Sequence, residues 1–118
     1  MAAQKLSTAV LALALIAGTS TAEAHAQLDH ASPAVGSTIG SAPGQVTLHF
    51  TEGLEPKFSG ASVSGPSGTR ADSGSTASGS TIQIRVKNQG PGTYTVSWHV
   101  LSVDTHKTQG SFSFHVGK

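Results

Sequence analysis

The sequence contains no cysteine and few charged residues. None of its 118 residues is Cys, only 11% are Asp, Glu, Lys or Arg, and the formal net charge is +1. The absence of cysteine excludes a disulfide framework, a thiolate zinc site and a cysteine nucleophile. The balanced charge argues against a nucleic-acid-binding face and against a polybasic membrane patch. Histidine is the exception, because the six histidines equal all the acidic residues in number.

Residues 1–24 have the three parts of a secretory signal peptide. Lys5 supplies a positive charge, an apolar run follows over residues 9–17, and small residues end the segment at Ala22-Glu23-Ala24. The apolar run is too short to cross a bilayer as a resident helix, and no direct membrane insertion is expected. We therefore expect export by the general secretory route to the periplasm, with residues 25–118 forming one domain.

Cleavage after Ala24 makes His25 the first residue of the mature protein. A terminal histidine offers its α-amine and its ring Nδ1 to one metal ion and closes a six-membered chelate ring. Ala24-His25-Ala26 also satisfies the small-x-small rule for cleavage. Cleavage at this second position removes His25 and leaves Gln27 first, so two processing sites remain open.

The apolar residues of the remaining chain alternate with polar ones, which is typical of strands with one buried face. Gly/Pro turn signals separate the strands, and no segment holds apolar residues at helical spacing over three turns. The pattern predicts an all-β domain, either a sandwich or a barrel. The predicted strands cover residues 45–51, 82–87, 94–100 and 112–116.

Two further segments are less clear. Residues 61–64 alternate weakly and are predicted to form an additional strand. Residues 71–80 are almost wholly small and polar, so we expect them to form a mobile loop.

The strand pattern divides the histidines into two groups. Three lie opposite the apolar faces and are expected to be solvent-facing strand residues. His25, His30 and His106 lie outside the predicted strands, and His30 is interpreted as a surface or structural residue. The three strand histidines are His49, His99 and His115.

Asp104-Thr105-His106 follows the strand that contains Trp98. In an extended segment, residues i and i+2 project to one side about 6.5 to 7 Å apart, so Asp104 and His106 can converge on one ion. Together with His25 and with Glu52 they form a nitrogen-rich N,O donor set that suits Cu(II), with Zn(II) and Ni(II) as weaker fits. Cu(I) prefers sulfur donors, and the one methionine, Met1, leaves with the leader.

Short motifs follow one another along almost the whole mature chain. In this order and spacing they give a sequence that resembles the CopC/PcoC-type periplasmic copper-binding proteins of bacterial copper resistance and homeostasis. The motifs are His25-Ala26, Ser32-Pro33-Ala34-Val35-Gly36, Leu48-His49-Phe50-Thr51-Glu52, Phe58-Ser59-Gly60, residues 92–98, residues 100–106, Gly110, and Phe112-Ser113-Phe114.

The resemblance implies a small Greek-key domain, a cupredoxin-like or immunoglobulin-like β-barrel or sandwich, that holds Cu(II) at one end. It implies that His25 supplies its amine and ring nitrogen, His106 a second imidazole, and Asp104 an equatorial or nearby oxygen. Glu52 would be an axial or outer-shell carboxylate. Many members have glycine where this chain has Thr105, and little effect is expected because that residue is not a ligand.

The resemblance also implies a partner, an inner-membrane copper permease of the CopD type, and a binding function rather than an enzyme. Some members carry a Met-rich Cu(I) loop, but the corresponding residues 65–80 contain no Met. We therefore expect one Cu(II) ion at a single site and no Cu(I) site.

Two alternatives belong to other classes. One is an oxidative copper enzyme with an N-terminal histidine brace, although Tyr94 and Trp98, the aromatic residues able to form a platform, lie on the predicted core face. The other is a metal-free β-sandwich that binds a protein partner. A serine hydrolase is a poor fit, because no Gly-x-Ser-x-Gly elbow occurs in a strand-turn-helix context.

Overall fold

The computed structural model describes residues 26–117, which form eight strands and one turn of 3-10 helix at Pro56–Phe58. The strands are β1 Leu28–Ser32, β2 Thr38–Ile39, β3 Gln45–Phe50, β4 Gly60–Ser64, β5 Asp72–Ser78, β6 Thr81–Val86, β7 Gly92–Leu101 and β8 Lys107–Val116.

The strands form two four-stranded sheets. One has the order β1-β3-β6-β5, and the other has the order β2-β8-β7-β4. All pairs are antiparallel except β2 with β8, which is parallel. The all-β prediction is confirmed, in its sandwich form rather than as a closed barrel.

The core lies between the sheets because each central strand buries alternate residues. Strand β3 shows this clearly, since Val46, Leu48 and Phe50 are buried while the polar residues between them are not. Each such side chain contributes roughly 1.5–3 kcal/mol when removed from water. The other large buried members are Leu54, Val63, Ile82, Ile84, Tyr94, Val96, Val100, Phe112, Phe114 and Val116.

The aromatic residues of β7 have two different environments. Tyr94 is fully buried and stacks on Phe114 with ring centroids 5.3 Å apart. Its hydroxyl donates to the Gly90 carbonyl at 2.8 Å, so the buried polar atom has a partner. Trp98 is half-buried and meets Phe50 edge to face at 5.0 Å. Both rings are on the core face, as predicted, but only Tyr94 is fully covered.

The prediction of a mobile loop over residues 71–80 is wrong, because most of this segment forms β5. Ser75 pairs with Ile84 and Ala77 with Ile82, in register with β6. Backbone hydrogen bonds to β6 hold this edge strand, and they require no apolar side chains. A search for alternating apolar and polar residues cannot detect a strand of this kind, because the strand has too few apolar residues to show the pattern.

A buried carboxylate joins β5 to β4. Asp72 is 2% exposed, and its Oδ2 accepts a hydrogen bond from the Val63 N–H at 2.8 Å. Its Oδ1 accepts from the Arg70 guanidinium and from the Gly74 N–H, each at 3.1 Å. Burial alone raises the pKa of Asp72, but these hydrogen bonds and the Arg70 charge outweigh it and lower the pKa below the ordinary 3.8.

We predict that Asp72→Ala destabilises the fold by about 3 kcal/mol, because it leaves two backbone N–H groups without an acceptor. The lowered pKa also means that the stability contributed by Asp72 is present above pH 3.8 and is lost as pH falls through its folded value. Urea unfolding between pH 2 and 7 measures both effects. Ser73→Ala, at the exposed neighbouring position, is the control and should retain wild-type stability and its acid dependence. An Asp72→Ala variant as stable as wild type at neutral pH would contradict this assignment.

Candidate metal centre

Three of the predicted ligands, Glu52, Asp104 and His106, lie at one end of the sandwich, where the described chain begins and the β7–β8 connection turns. The Thr108 hydroxyl of β8 donates to the Ala26 carbonyl at 2.9 Å. Gln27 and Thr51 exchange two hydrogen bonds of 2.9 Å, one of them through the Thr51 hydroxyl. Since Ala26 is fully buried, the start of the described chain is held firmly against the ends of β3 and β8.

Asp104 and His106 form a pair in the β7–β8 connection. His106 Nδ1 lies 3.3 Å from Asp104 Oδ1, and the side chains are 48% and 41% exposed. The sequence predicts an extended segment in which Asp104 and His106 project to one side. That geometry is wrong, because the chain turns over residues 103–105, with a positive φ at Thr105, and this turn brings the two side chains together. Both side chains remain open to solvent, so an ion can reach them.

Ser102 orients this pair and was missed by sequence reasoning. It is fully buried, its hydroxyl donates to Asp104 Oδ1, and it lies 3.3 Å from the His106 backbone N–H. This hydroxyl, followed by the adjacent His106 imidazole, lowers the pKa of Asp104 below its ordinary value. The one signal in the sequence is a serine two residues before an aspartate, and this pattern is too common to identify the role.

Glu52 lies nearby but does not complete a three-ligand group. Its loop runs beside the β7–β8 connection, because the Val103 N–H donates to the Gly53 carbonyl at 3.0 Å. Within residues 26–117, no group of three or more His, Asp or Glu side chains is placed to hold a metal ion. The remaining predicted ligand, His25, lies outside the described residues.

Thr105 has an unusual backbone conformation. Its φ is +73°, in the left-handed region that favours glycine, and its N–H donates to the Ser102 carbonyl at 2.8 Å. The expectation of little effect at this position concerned metal ligation alone. The structure adds a conformational requirement, because the turn between the two paired residues needs a positive φ.

The strand histidines lie on the outer faces, as predicted. His99 is exposed, and His49 and His115 are half-buried. His30 is on β1 rather than in a loop, and its ring stacks on that of His49.

Within residues 26–117, no helix is long and apolar enough to cross a membrane.

The fold and this site define a class: a small cupredoxin-like β-sandwich with exposed nitrogen and oxygen donors at one end. The CopC domain model matches residues 28–117. Protein YobA of Escherichia coli K12 is 40% identical over 113 residues, which cover 92% of this chain and 90% of YobA. Copper resistance protein C of Xanthomonas campestris pv. juglandis is 34% identical and covers 96% of each chain.

The comparison with solved structures leads to the same family. The crystal structure of CopC from Methylosinus trichosporium OB3b has a TM-score of 0.73 and 28% identity, covering 79% of this chain and 94% of that one. This chain therefore belongs to the CopC family of copper resistance proteins.

We predict that Thr105→Gly is more stable than Thr105→Ala by about 1 kcal/mol, since an L residue with this φ costs roughly 1–2 kcal/mol. Both variants remove the Thr105 hydroxyl, so their difference isolates the backbone conformation. Chemical denaturation measures it. Equal stabilities would show that the turn tolerates a Cβ without strain.

Proposed function

We propose that this chain is a periplasmic Cu(II)-binding protein of copper homeostasis or resistance, which sequesters or delivers the ion and has no enzymatic activity. One observation carries the proposal: the exposed Asp104–His106 pair lies at the end of the sandwich where Ala26 is anchored. The family relatives named for copper resistance support the choice of metal.

The mature N terminus supplies the missing donors in this proposal. Consecutive Cα atoms are 3.8 Å apart, so a chain that begins at His25 presents its α-amine one residue from the buried Ala26. The Ala26 carbonyl accepts a hydrogen bond from the hydroxyl of Thr108, which is two residues from His106. The amine and ring nitrogen of His25 would then join the imidazole of His106 on one ion.

The oxygen donors follow from the contacts of Asp104. Asp104 Oδ1 accepts a hydrogen bond from Ser102 and lies 3.3 Å from His106 Nδ1, and the side chain is 41% exposed, so we assign this carboxylate to the metal as an equatorial or nearby oxygen donor. The lowered pKa keeps this carboxyl ionised at neutral pH. Glu52, on the neighbouring loop, would be an axial or outer-shell carboxylate.

The donor set determines the oxidation state that we propose. Imidazole, amine and carboxylate donors suit Cu(II), whereas Cu(I) selects thiolate and thioether sulfur. The chain has no Cys, and its one Met is Met1. We therefore propose one tightly bound Cu(II) ion, no Cu(I) site, and residues 1–24 as a cleaved signal peptide.

The exposed surface favours a copper carrier over an oxidative copper enzyme. Among residues 26–117, Phe58 is the one largely exposed aromatic side chain, while Tyr94 is buried and Trp98 is half-buried, so there is no broad aromatic platform for a polymeric substrate. This supports a carrier rather than an oxidative enzyme. A CopD-type inner-membrane copper permease is the partner implied by the family resemblance.

We predict that His106→Ala lowers Cu(II) affinity by more than about 100-fold, because loss of a ligand exceeds the 10- to 100-fold effect of losing an outer-shell partner. Competition with a chromophoric chelator measures the affinity, and circular dichroism verifies the fold. His115→Ala is the matched control, since roughly 27 Å of extended strand separates this histidine from Lys107 at the site end. Unchanged affinity in His106→Ala would remove this residue from the site.

We predict that one alanine added before His25 also weakens Cu(II) binding and changes the Cu(II) electron paramagnetic resonance spectrum. The extension converts the amine donor into a peptide N–H and opens the six-membered chelate. The same alanine added after Lys118 is the control. Intact mass of the exported protein should give a chain that begins at His25. An identical spectrum and affinity in the extended protein would exclude the terminal amine as a ligand.

A further inference from the structure

We propose that His30 and His49 form a second, weaker site for a divalent transition-metal ion on the outer face of the β1-β3-β6-β5 sheet. Their rings lie 4.2 Å apart, centroid to centroid, with planes 9° from parallel. They come from adjacent strands, as directly opposed residues of the β1–β3 register. The pair shares no residue with the Cu(II) site proposed above.

A β-bulge in β1 creates the arrangement. Leu28 pairs with Phe50 and His30 pairs with His49, so Asp29 is an extra residue on β1. In a regular strand, consecutive side chains project to opposite faces of the sheet. Here Asp29 and His30 are both exposed, because a bulge changes the direction of a side chain.

The bulge places a carboxylate against the His30 ring. Asp29 Oδ2 lies 3.0 Å from His30 Nδ1, and an ionised carboxylate can only accept a hydrogen bond. The proton of neutral His30 is therefore on Nδ1, which leaves the Nε2 lone pair available to a metal. Carboxylate–histidine–metal arrangements of this kind hold the ring and raise its basicity as a ligand.

The geometry also indicates what kind of ion binds and how tightly. Two imidazole nitrogens about 2.1 Å from one ion, at adjacent coordination positions, are about 3 Å apart, so the stacked rings must tilt towards each other. The His30 side chain is 62% exposed and His49 is half-buried, so the rings have room to tilt. Because residues 26–117 contain no three-ligand group, water completes the coordination. Two imidazoles favour Cu(II) over Zn(II).

The test is a titration of the processed protein with Zn(II) sulfate, followed by the ¹⁵N resonances of the histidine rings. Zn(II) is diamagnetic, so each ring is observed separately and the result does not depend on binding at His106. We expect His30 and His49 to shift together with one midpoint, and Cu(II) sulfate to displace the zinc. Unmoved His30 and His49 resonances at millimolar Zn(II) would overturn the proposal.

Variants separate a shared site from two independent surface histidines. His30→Ala should abolish the saturable shift of His49, and His49→Ala that of His30. Asp29→Ala should weaken the shared site by about 10- to 100-fold, as expected for an outer-shell carboxylate. His115→Ala, in the other sheet, is the control and should change neither ring. A His49 response that is unchanged without His30 would also overturn the proposal.

Discussion

The antiparallel pairing of β7 with β8 is the interaction on which both the core and the candidate site depend. Its register runs without interruption from Gly92 opposite Val116 to Leu101 opposite Lys107. A slip of one residue would move every inward side chain of one strand to the outer face, including the aromatic partner of Tyr94. The same register determines where the chain turns, and therefore how Asp104 and His106 meet. Hydrophobic burial at the centre of the sandwich thus holds a polar site at its end.

Two buried polar groups make the internal hydrogen bonds of this sandwich that matter most: Ser102 supports the β7–β8 connection, and Asp72 links one sheet to the other. The Ser102 hydroxyl donates a hydrogen bond to the Asp104 carboxylate. The Asp72 carboxylate, on β5, accepts a hydrogen bond from the Val63 N–H of β4. In each case a carboxylate with a lowered pKa accepts hydrogen bonds from groups inside the fold. Asp72 is enclosed and acts in stability, whereas Asp104 is partly exposed and is the carboxylate that we propose as a ligand. Solvent exposure therefore separates a structural carboxylate from a candidate ligand.

The sequence predicted the central strands well because those strands bury one face, and burial imposes a period of two. It did not predict β5, since Ser75 and Ala77 are held by backbone hydrogen bonds that leave no apolar pattern. The site shows the same division. The two-residue spacing of Asp104 and His106 indicated that they are neighbours but not the turn that pairs them, and the contact of Ala26 with Thr108 joins residues far apart in the chain.

By itself, the sequence determined the chemistry available to this protein: imidazole, carboxylate and hydroxyl donors without cysteine, on strands whose inward and outward faces follow from alternation. Only the tertiary structure decided which donors meet. The anchored chain start, the positive φ of Thr105 and the stacking of His30 on His49 all depend on strand register, on a bulge or on a turn. The anchored chain start and the histidine stack arise from contacts between segments distant in the chain, whereas the Thr105 turn is closed locally by its hydrogen bond to Ser102. The residue types of any single segment do not specify these features.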